Sequence, residues 1–149
     1  MATKNKMLTK TKFNIIIVPL LILTLIACHK EDSTDIVQFS WQIKYICTEN
    51  QNFKVKNKDY VNKEAYILIF KNDSVFQLNT SVNLAIGKFK MPSKNCINIL
   101  GYQEITEIGG QSSVDKKLLQ YIPTICSYKI LGENLVLQGN NCEIKLKRQ

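Results

Sequence analysis

The sequence predicts a mainly β (α+β) fold, in which an antiparallel sheet is curled into a partial barrel with one short helix packed on it. Two observations predict this fold. Apolar and polar residues alternate in several short segments after position 37, which is typical of half-buried strands. Residues that favour turns separate these segments, and helical periodicity is clear in one segment alone.

The first predicted strand covers residues 38–47, and a β-hairpin follows it. The apolar face of this strand is expected to carry Phe39, Trp41, Ile43, Tyr45 and Cys47. After a polar stretch at 48–63, the apolar segments 65–70 and 75–78 are separated by the residues Lys-Asn-Asp-Ser. Because Asn and Asp favour tight turns, the two segments are predicted to pair.

Five further strands bring the predicted total to about eight, the number of a small barrel. Pro92 and its polar neighbours form the predicted turn between the first two of them. The five strands are expected at residues 84–90, 96–102, 125–131, 134–138 and 142–147.

The helix is predicted at residues 113–122. Ser112 can cap its first turn, and Asp115 lies three residues further on, where a capping box places its acidic partner. Pro123 ends the helix. One face of the helix is apolar, with Val114, Leu118, Leu119 and Ile122.

Residues 1–27 have the pattern of an export signal. Four lysines precede an apolar run at 15–27, and no acidic residue lies among them. As a helix this run would be only about 20 Å long, short of a hydrocarbon core about 30 Å thick. A cleaved signal is therefore predicted, rather than a permanent membrane span.

The run ends in Leu-Ile-Ala followed by Cys28, which resembles the lipobox of bacterial lipoproteins. The resemblance implies that Cys28 carries the lipid and becomes the first residue of the mature chain. Residue 29 is His, and the absence of Asp there implies sorting to the outer membrane. Residues 28–37 are predicted to be a lipidated tether, since their composition is polar and acid-rich.

Removal of the signal leaves 122 of the 149 residues, enough for one domain, predicted at 38–149. The formal charge of +8 includes the four signal lysines, so the mature chain has 16 basic and 12 acidic residues. The remaining lysines are scattered along the chain. Nucleic acid is therefore not an expected partner.

Four cysteines follow Cys28, an even number in a compartment that permits disulfides. Cys126 and Cys142 flank a predicted hairpin near residues 132–134, where antiparallel register would place them nearly opposite. This interpretation pairs Cys126 with Cys142 and leaves Cys47 to pair with Cys96. Three pairings are open, and buried free thiols are the alternative to any bridge.

No pattern indicates catalysis, a metal or a cofactor. The only histidine is His29, on the tether, so a histidine-dependent active site is not expected in the domain. Glu104 and Glu107 could form an acid–base pair, but two solvated side chains are the favoured interpretation. The cysteine spacing does not fit zinc, and residues 109–110 (Gly-Gly) lack the lysine of a phosphate loop.

Two further patterns are candidates for sites. Five aromatic residues could line an apolar pocket in a curled sheet, although core packing is the favoured role for Tyr45, Tyr66, Phe70, Phe76 and Phe89. Residues 73–75 (Asp-Ser-Val) resemble a three-residue O-glycosylation site, which makes Ser74 a candidate for modification.

The order of features resembles the META domain, also called HslJ-like, over residues 39–147. The resemblance rests on the Trp41 strand, Phe70 and Phe76 in the hairpin, Gly87-x-Phe89, Thr106, the short helix, and the Tyr-x-Ile-x-Gly-x-x-Leu-x-Leu pattern at 128–137. The Gly-Cys-Asn element of the family and its cysteine after the threonine are missing here. The resemblance implies an envelope lipoprotein linked to stress responses, with no established active site.

The sequence therefore predicts a lipoprotein that displays a non-catalytic META-like domain from the outer membrane. The expected partners are the membrane, through the lipid on Cys28, and an unidentified envelope protein, in envelope maintenance or stress tolerance. The alternative is a lipocalin-like carrier of a small apolar ligand. The first function predicts a filled interior and the second an open apolar cavity.

Overall fold

The computed structural model describes residues 36–56, 59, 63–71, 74–105 and 111–149 of the chain. Within these ranges it contains nine strands and one α-helix. The strands are β1 (Ser40–Thr48), β2 (Asn52–Lys54), β3 (Ile67–Phe70), β4 (Val75–Asn79), β5 (Leu84–Lys90), β6 (Asn98–Glu104), β7 (Ile125–Leu131), β8 (Asn134–Gly139) and β9 (Cys142–Arg148). The helix α1 is Ser113–Tyr121, and short 3₁₀ turns lie at Ile36–Gln38 and Ile122–Thr124.

All nine strands belong to one antiparallel sheet, in the order β6-β5-β4-β3-β1-β9-β8-β7, with β2 paired to the far half of β1. The sheet curls until its two ends approach. There the segment before β6 meets the start of β7, where Cys96 pairs with Ser127 in an isolated bridge. The predicted antiparallel sheet curled into a partial barrel, with one short helix, is confirmed.

The interior of the curl is filled by apolar side chains. Phe70 lies between Phe76 and Phe89, with ring centroids 6.5 Å and 5.0 Å away. Trp41 is fully buried, and its indole N–H donates to the backbone oxygen of Ile36 at 2.9 Å. Burial of each such side chain contributes about 1.5–3 kcal/mol, so this core is the main source of stability.

Gly87 is required by the aromatic packing. In the β4–β5 ladder it lies opposite Phe76, whose ring covers the glycine. A Cβ at this position would lie 2.4 Å from the Phe76 ring and 2.5 Å from the backbone oxygen of Gly101. The close approach of ring and backbone therefore depends on the missing side chain.

A β-bulge in β1 changes the predicted face of this strand. The register with β9 shifts between Ile43 and Tyr45, so the extra residue moves the next side chains to the other face. Ile46 is buried, whereas Tyr45 is 38% exposed. The prediction that Tyr45 and Cys47 share the face of Trp41 is wrong for this reason.

The other elements lie close to their predicted positions. The hairpin of β3 and β4 is confirmed, and β6 begins two residues later than predicted. Strand β2 was not predicted, because its three residues lie in a polar stretch without alternation. Ile36, two residues before the predicted domain boundary at 38, is fully buried.

Candidate functional site

A buried polar cluster lies where the N-terminus of α1 meets the β4–β5 turn. We define the Asp115 cluster as Tyr66, Ser81, Ser112 and Asp115. Asp115 is fully buried, and Tyr66 is also fully buried. Polar groups at such depth require hydrogen-bond partners, and here they find them in one another.

Ser112 and Asp115 form the predicted capping box of α1. The Ser112 N–H donates to Asp115 Oδ2 at 2.8 Å, and the Asp115 N–H donates to Ser112 Oγ at 3.0 Å. The helix thereby satisfies two of its free N–H groups within its own first turn. The capping box is confirmed as the sequence predicted it.

Ser81 connects this cap to the sheet. Its N–H donates to Asp115 Oδ1 at 3.1 Å, and its hydroxyl donates to Asp115 Oδ2. Thr80 and Asn83 hold the turn around Ser81, since the Asn83 N–H donates to Thr80 Oγ1 at 2.9 Å and the Thr80 N–H to the Asn83 oxygen at 2.8 Å. Asp115 therefore joins the helix to the β4–β5 turn.

Tyr66 completes the cluster from the segment before β3. Its hydroxyl lies 3.0 Å from Ser112 Oγ, and it also hydrogen-bonds to Asp115. The backbone of Tyr66 has φ of +59°, a left-handed conformation that costs a bulky residue about 1–3 kcal/mol. Its backbone oxygen accepts from the Ile43 N–H at 2.8 Å, so sheet and cluster together hold the strained residue.

The cluster shifts two pKa values in opposite directions. Burial alone would raise the pKa of Asp115, but hydrogen bonds from Ser81, Ser112 and Tyr66 outweigh it and lower that pKa below its usual value. Burial raises the pKa of Tyr66 to about 12, and the negative charge of Asp115 acts in the same direction. At neutral pH the site holds an ionised Asp115 beside a neutral Tyr66.

The geometry of the Asp115 cluster suits a structural role rather than a catalytic one. The carboxylate has no exposed surface and accepts three hydrogen bonds from the two serines alone, so a substrate proton cannot reach it. The cluster instead fixes α1 to the sheet. Sequence reasoning found Ser112 and Asp115 through their spacing, but Tyr66 and Ser81 lie far from them in the chain and give no local signal.

The outer surface carries a groove between β2 and α1, which we call the β2–α1 groove. It has a volume of about 290 Å³ and is lined by Asn52, Phe53, Lys54, Lys56, Asp59, Ser113 and Val114. At its side, Lys117 Nζ lies 5.9 Å from the centre of the Phe53 ring and 5.8 Å from that of Tyr121. Lysines and aromatic rings together make this surface basic and partly apolar.

Of Glu104 and Glu107, for which two solvated side chains are predicted, the structure describes Glu104. Glu104 is half-buried and accepts from Gln111 Nε2 at 2.9 Å and from Asn83 Nδ2 at 3.3 Å. Glu104, at the end of β6, therefore joins this strand to the β4–β5 turn and to the segment before α1. Glu107, Thr106 and residues 109–110 lie outside the described residues, so the favoured interpretation of two solvated glutamates stays a prediction.

Four of the five candidate pocket aromatics lie in the core. Tyr66, Phe70, Phe76 and Phe89 are buried against other side chains, which agrees with core packing. Tyr45 lies on the outer face, with Lys54 Nζ 5.8 Å from its ring centre. The five residues therefore do not line one pocket.

The four cysteines of the domain are free thiols in the structure. Cys126 is on β7 and Cys142 is on β9, and β8 lies between these strands. The expectation that the two face each other across a hairpin is wrong, because two hairpins separate them. Cys47 and Cys96 are also apart, since three strands separate β1 from β6.

The remaining site predictions lie at the surface or outside the described residues. Ser74 is exposed in the β3–β4 turn, as a modified residue must be. The export signal, Cys28 and His29 lie outside the described ranges. In the part of the chain that the structure describes, no helix has the length and apolarity to cross a membrane, and no group of three His, Cys, Asp or Glu residues could hold a metal.

These observations define the class of fold: a small antiparallel sheet curled into a partial barrel, with a helix held by a buried carboxylate. No protein-family model matches the chain. No curated protein matches it either.

Two solved structures are similar to this fold. One is the crystal structure of a DUF4847 family protein from Bacteroides vulgatus ATCC 8482, with a TM-score of 0.54 and 14% identity over 75% of this chain and 93% of that one. The other is the NMR structure of a protein from Burkholderia xenovorans, with a TM-score of 0.58 and 9% identity over 100% and 97% of the two chains. At these identities the likeness shows the fold alone, and the resemblance to the META domain stays a prediction.

Proposed function

We propose that this protein is a lipoprotein anchored in the outer membrane through Cys28, whose META-like domain acts by protein contacts rather than by catalysis. The observation that carries the proposal is the packed interior. Trp41, Phe70 and Phe76 occupy the space that a carrier of lipocalin type would leave for its ligand. Recognition then takes place on the outer surface, in envelope maintenance or stress tolerance.

The β2–α1 groove is the surface best suited to such a contact. It presents Lys54, Lys56 and Lys117 beside the ring of Phe53, and among the described residues of its lining Asp59 is the one acidic side chain. Cations that lie against aromatic rings favour acidic partner segments, both by long-range attraction and by packing. We therefore assign an acidic segment of an envelope protein to this groove.

The anchor is tested by metabolic labelling with a fatty acid. The wild-type chain should carry the label and fractionate with the outer membrane, whereas Cys28→Ala should carry none. Cys47→Ala is the matched control, because it removes a cysteine without removing the acceptor, and it should keep the label. Label retained on Cys28→Ala would contradict lipidation at this residue.

The contact surface is tested by photo-crosslinking in intact cells. A photoreactive residue at exposed position Asn52, in the groove, should give an adduct of defined mass, and one at exposed Glu133 should give none. Reversing the groove charge with Lys54→Glu and Lys56→Glu should remove the adduct. Equal adducts at both positions would contradict the groove as the contact surface.

The carrier alternative is tested by native mass spectrometry of the intact lipoprotein released from detergent. A packed interior predicts the bare mass and no displacement of an apolar dye. A small molecule that stays bound to the protein, and is lost in a core variant such as Phe70→Ala, would favour the carrier instead.

A further inference from the structure

The seam of the barrel brings two of the four cysteines together. Residues 95–97 run antiparallel to the start of β7, because the Ile97 N–H donates to the Cys126 oxygen at 3.2 Å and the Tyr128 N–H to the Asn95 oxygen at 2.9 Å. These two bonds flank the pair Cys96 and Ser127. Such a flanked pair is the closer kind in an antiparallel ladder, with Cα atoms about 4.5 Å apart.

A β-bulge places Cys126 on the same face as Cys96. The register of β7 with β8 passes from Ile125 opposite Gly139 to Ser127 opposite Gln138, so Cys126 is the extra residue. Ile125 is buried in the core, whereas Cys126 is exposed, with its Sγ 3.6 Å from the backbone oxygen of Gln138. Ser127 Oγ lies 3.4 Å from the exposed side chain of Gln138, so both residues lie on the outer face. Side chains of a directly opposed pair share a face, so Cys96 also lies on the outer side.

The spacing suits a disulfide. Cys126 is one step along the strand from the residue opposite Cys96, which places the two Cα atoms about 5 to 6 Å apart. Disulfides span Cα separations of roughly 4.4–6.8 Å. Cys126 is exposed and Cys96 is half-buried, so an oxidant can reach the first and the second can close the bond.

The other two cysteines have no such partner. Cys142 faces the core, where it is 8% exposed, and its Sγ lies 3.5 Å from Thr124 Oγ1. Cys47 lies opposite Glu143 on the outer face, next to the buried Ile46. Although β1 and β9 are neighbours, the two thiols lie on opposite faces of the sheet.

We propose that Cys96 and Cys126 form a disulfide that closes the seam of the barrel. The reaction is thiol–disulfide exchange with a disulfide-bearing oxidant. The Cys126 thiolate attacks one sulfur of the oxidant and releases one thiol, giving a mixed disulfide; the Cys96 thiolate then attacks Cys126 Sγ and releases the second thiol. The two cysteines lose two electrons and two protons, and the oxidant takes up both.

The pairing is tested on the full chain in detergent, reduced and then exposed to glutathione disulfide. After alkylation and proteolysis, the expected product is a peptide pair linked through Cys96 and Cys126, with Cys47 and Cys142 not joined to each other. Cys96→Ser should stop at a stable mixed disulfide between Cys126 and glutathione. The same arrest in the wild-type chain, with Cys96 still alkylated, would overturn the proposal.

A second measurement reads the consequence of the bridge and does not depend on export. Oxidation should raise the Tm of the wild-type chain by on the order of 10 °C, and reduction should reverse the rise. Cys126→Ser should show no redox-dependent shift, whereas Cys47→Ser, the matched control, should keep it. A shift that persists in Cys126→Ser would overturn the pairing.

Formation of the bridge in cells also rests on the proposed export to an oxidising compartment. Cells are therefore quenched in acid and alkylated before extraction, and the linked peptide should be present. If the bridge forms with glutathione disulfide but is absent from cells, the export is contradicted while the pairing stands. If it forms in neither, the pairing itself is overturned.

Discussion

The apolar interior of the barrel and the Asp115 cluster stabilise the same fold by different means. In the interior, Phe70, Phe76 and Phe89 contact many neighbours, and no single contact has a fixed direction. In the cluster, each hydrogen bond of Asp115 has one donor and one acceptor in set positions. The interior should therefore tolerate a change of shape at constant volume, whereas the cluster should not tolerate a change of polarity.

The sharpest test of this comparison uses one nearly isosteric change in each region. Asp115→Asn replaces an acceptor oxygen with an N–H donor that must face the donors of Ser81 and Ser112. We expect a loss of about 3–5 kcal/mol in the free energy of unfolding, because at least two buried donors lose their acceptor. Leu78→Met, in the fully buried interior, should cost less than about 1.5 kcal/mol.

Urea unfolding at pH 7 measures both changes. Glu133→Gln is a surface control, since its partner Lys147 is itself half-exposed, and it should change stability by less than about 1 kcal/mol. Equal losses for Asp115→Asn and Leu78→Met would contradict the distinction between the two regions.

A smaller loss of stability is expected at Gly87, where the interior leaves no room for a side chain. Gly87→Ala introduces a Cβ against the Phe76 ring and the Gly101 backbone, so we expect a loss of about 1–3 kcal/mol from overpacking. Lys88→Ala, at the next and exposed position of β5, should stay within about 0.5 kcal/mol. Thermal unfolding separates them, and indistinguishable Tm values would refute the close ring contact.

Removal of one hydroxyl from the cluster should cost less again. Tyr66→Phe deletes the hydrogen bonds to Ser112 and Asp115 but keeps the buried ring, and we expect a loss of about 1 kcal/mol at neutral pH. Circular dichroism during urea unfolding is sufficient to measure it. A loss as large as that of Asp115→Asn would mean that the Tyr66 hydroxyl contributes more to stability than its hydrogen bonds suggest.

The pH dependence of the stability of Tyr66→Phe gives a further test of the comparison. Because the folded pKa of Tyr66 is raised from 10.0 to about 12, its contribution is complete below pH 10 and is lost as the pH rises toward 12. The folded pKa of Asp115 is lowered, so its contribution is complete above its ordinary pKa of 3.8 and is lost as the pH falls through the lowered value. Tyr66→Phe should lose less stability than the wild type at alkaline pH and as much as the wild type at acid pH. An unchanged loss of stability at alkaline pH would contradict the raised pKa of Tyr66.

The smallest expected effect on stability concerns the surface. Ser74→Ala changes an exposed residue in a turn, so the free energy of unfolding should move by no more than about 0.5 kcal/mol. If Ser74 carries a glycan, the intact mass of the variant from its native host should fall by the mass of that glycan. A wild-type chain that already has the unmodified mass would end the glycosylation hypothesis.

The sequence predicts the interior well, because strands with one buried face repeat every two residues and the pattern is local. It fails at Tyr45, where one extra residue in β1 reverses the alternation, and at Cys126 and Cys142, where a third strand intervenes. In the Asp115 cluster the cap is local and was predicted. Ser81 is 34 positions from Asp115, so only the fold brings it to the carboxylate.

The buried position of Ile36 limits how far the domain can lie from Cys28. Eight peptide steps separate it from Cys28, and a chain of that length spans at most about 28 Å. With the lipid on Cys28, the domain would stay within roughly its own diameter of the bilayer surface. Its partners would then be membrane-embedded or held at that same surface. A longer spacer inserted before Ile36 would increase the distance from the membrane at which the domain can bind a partner.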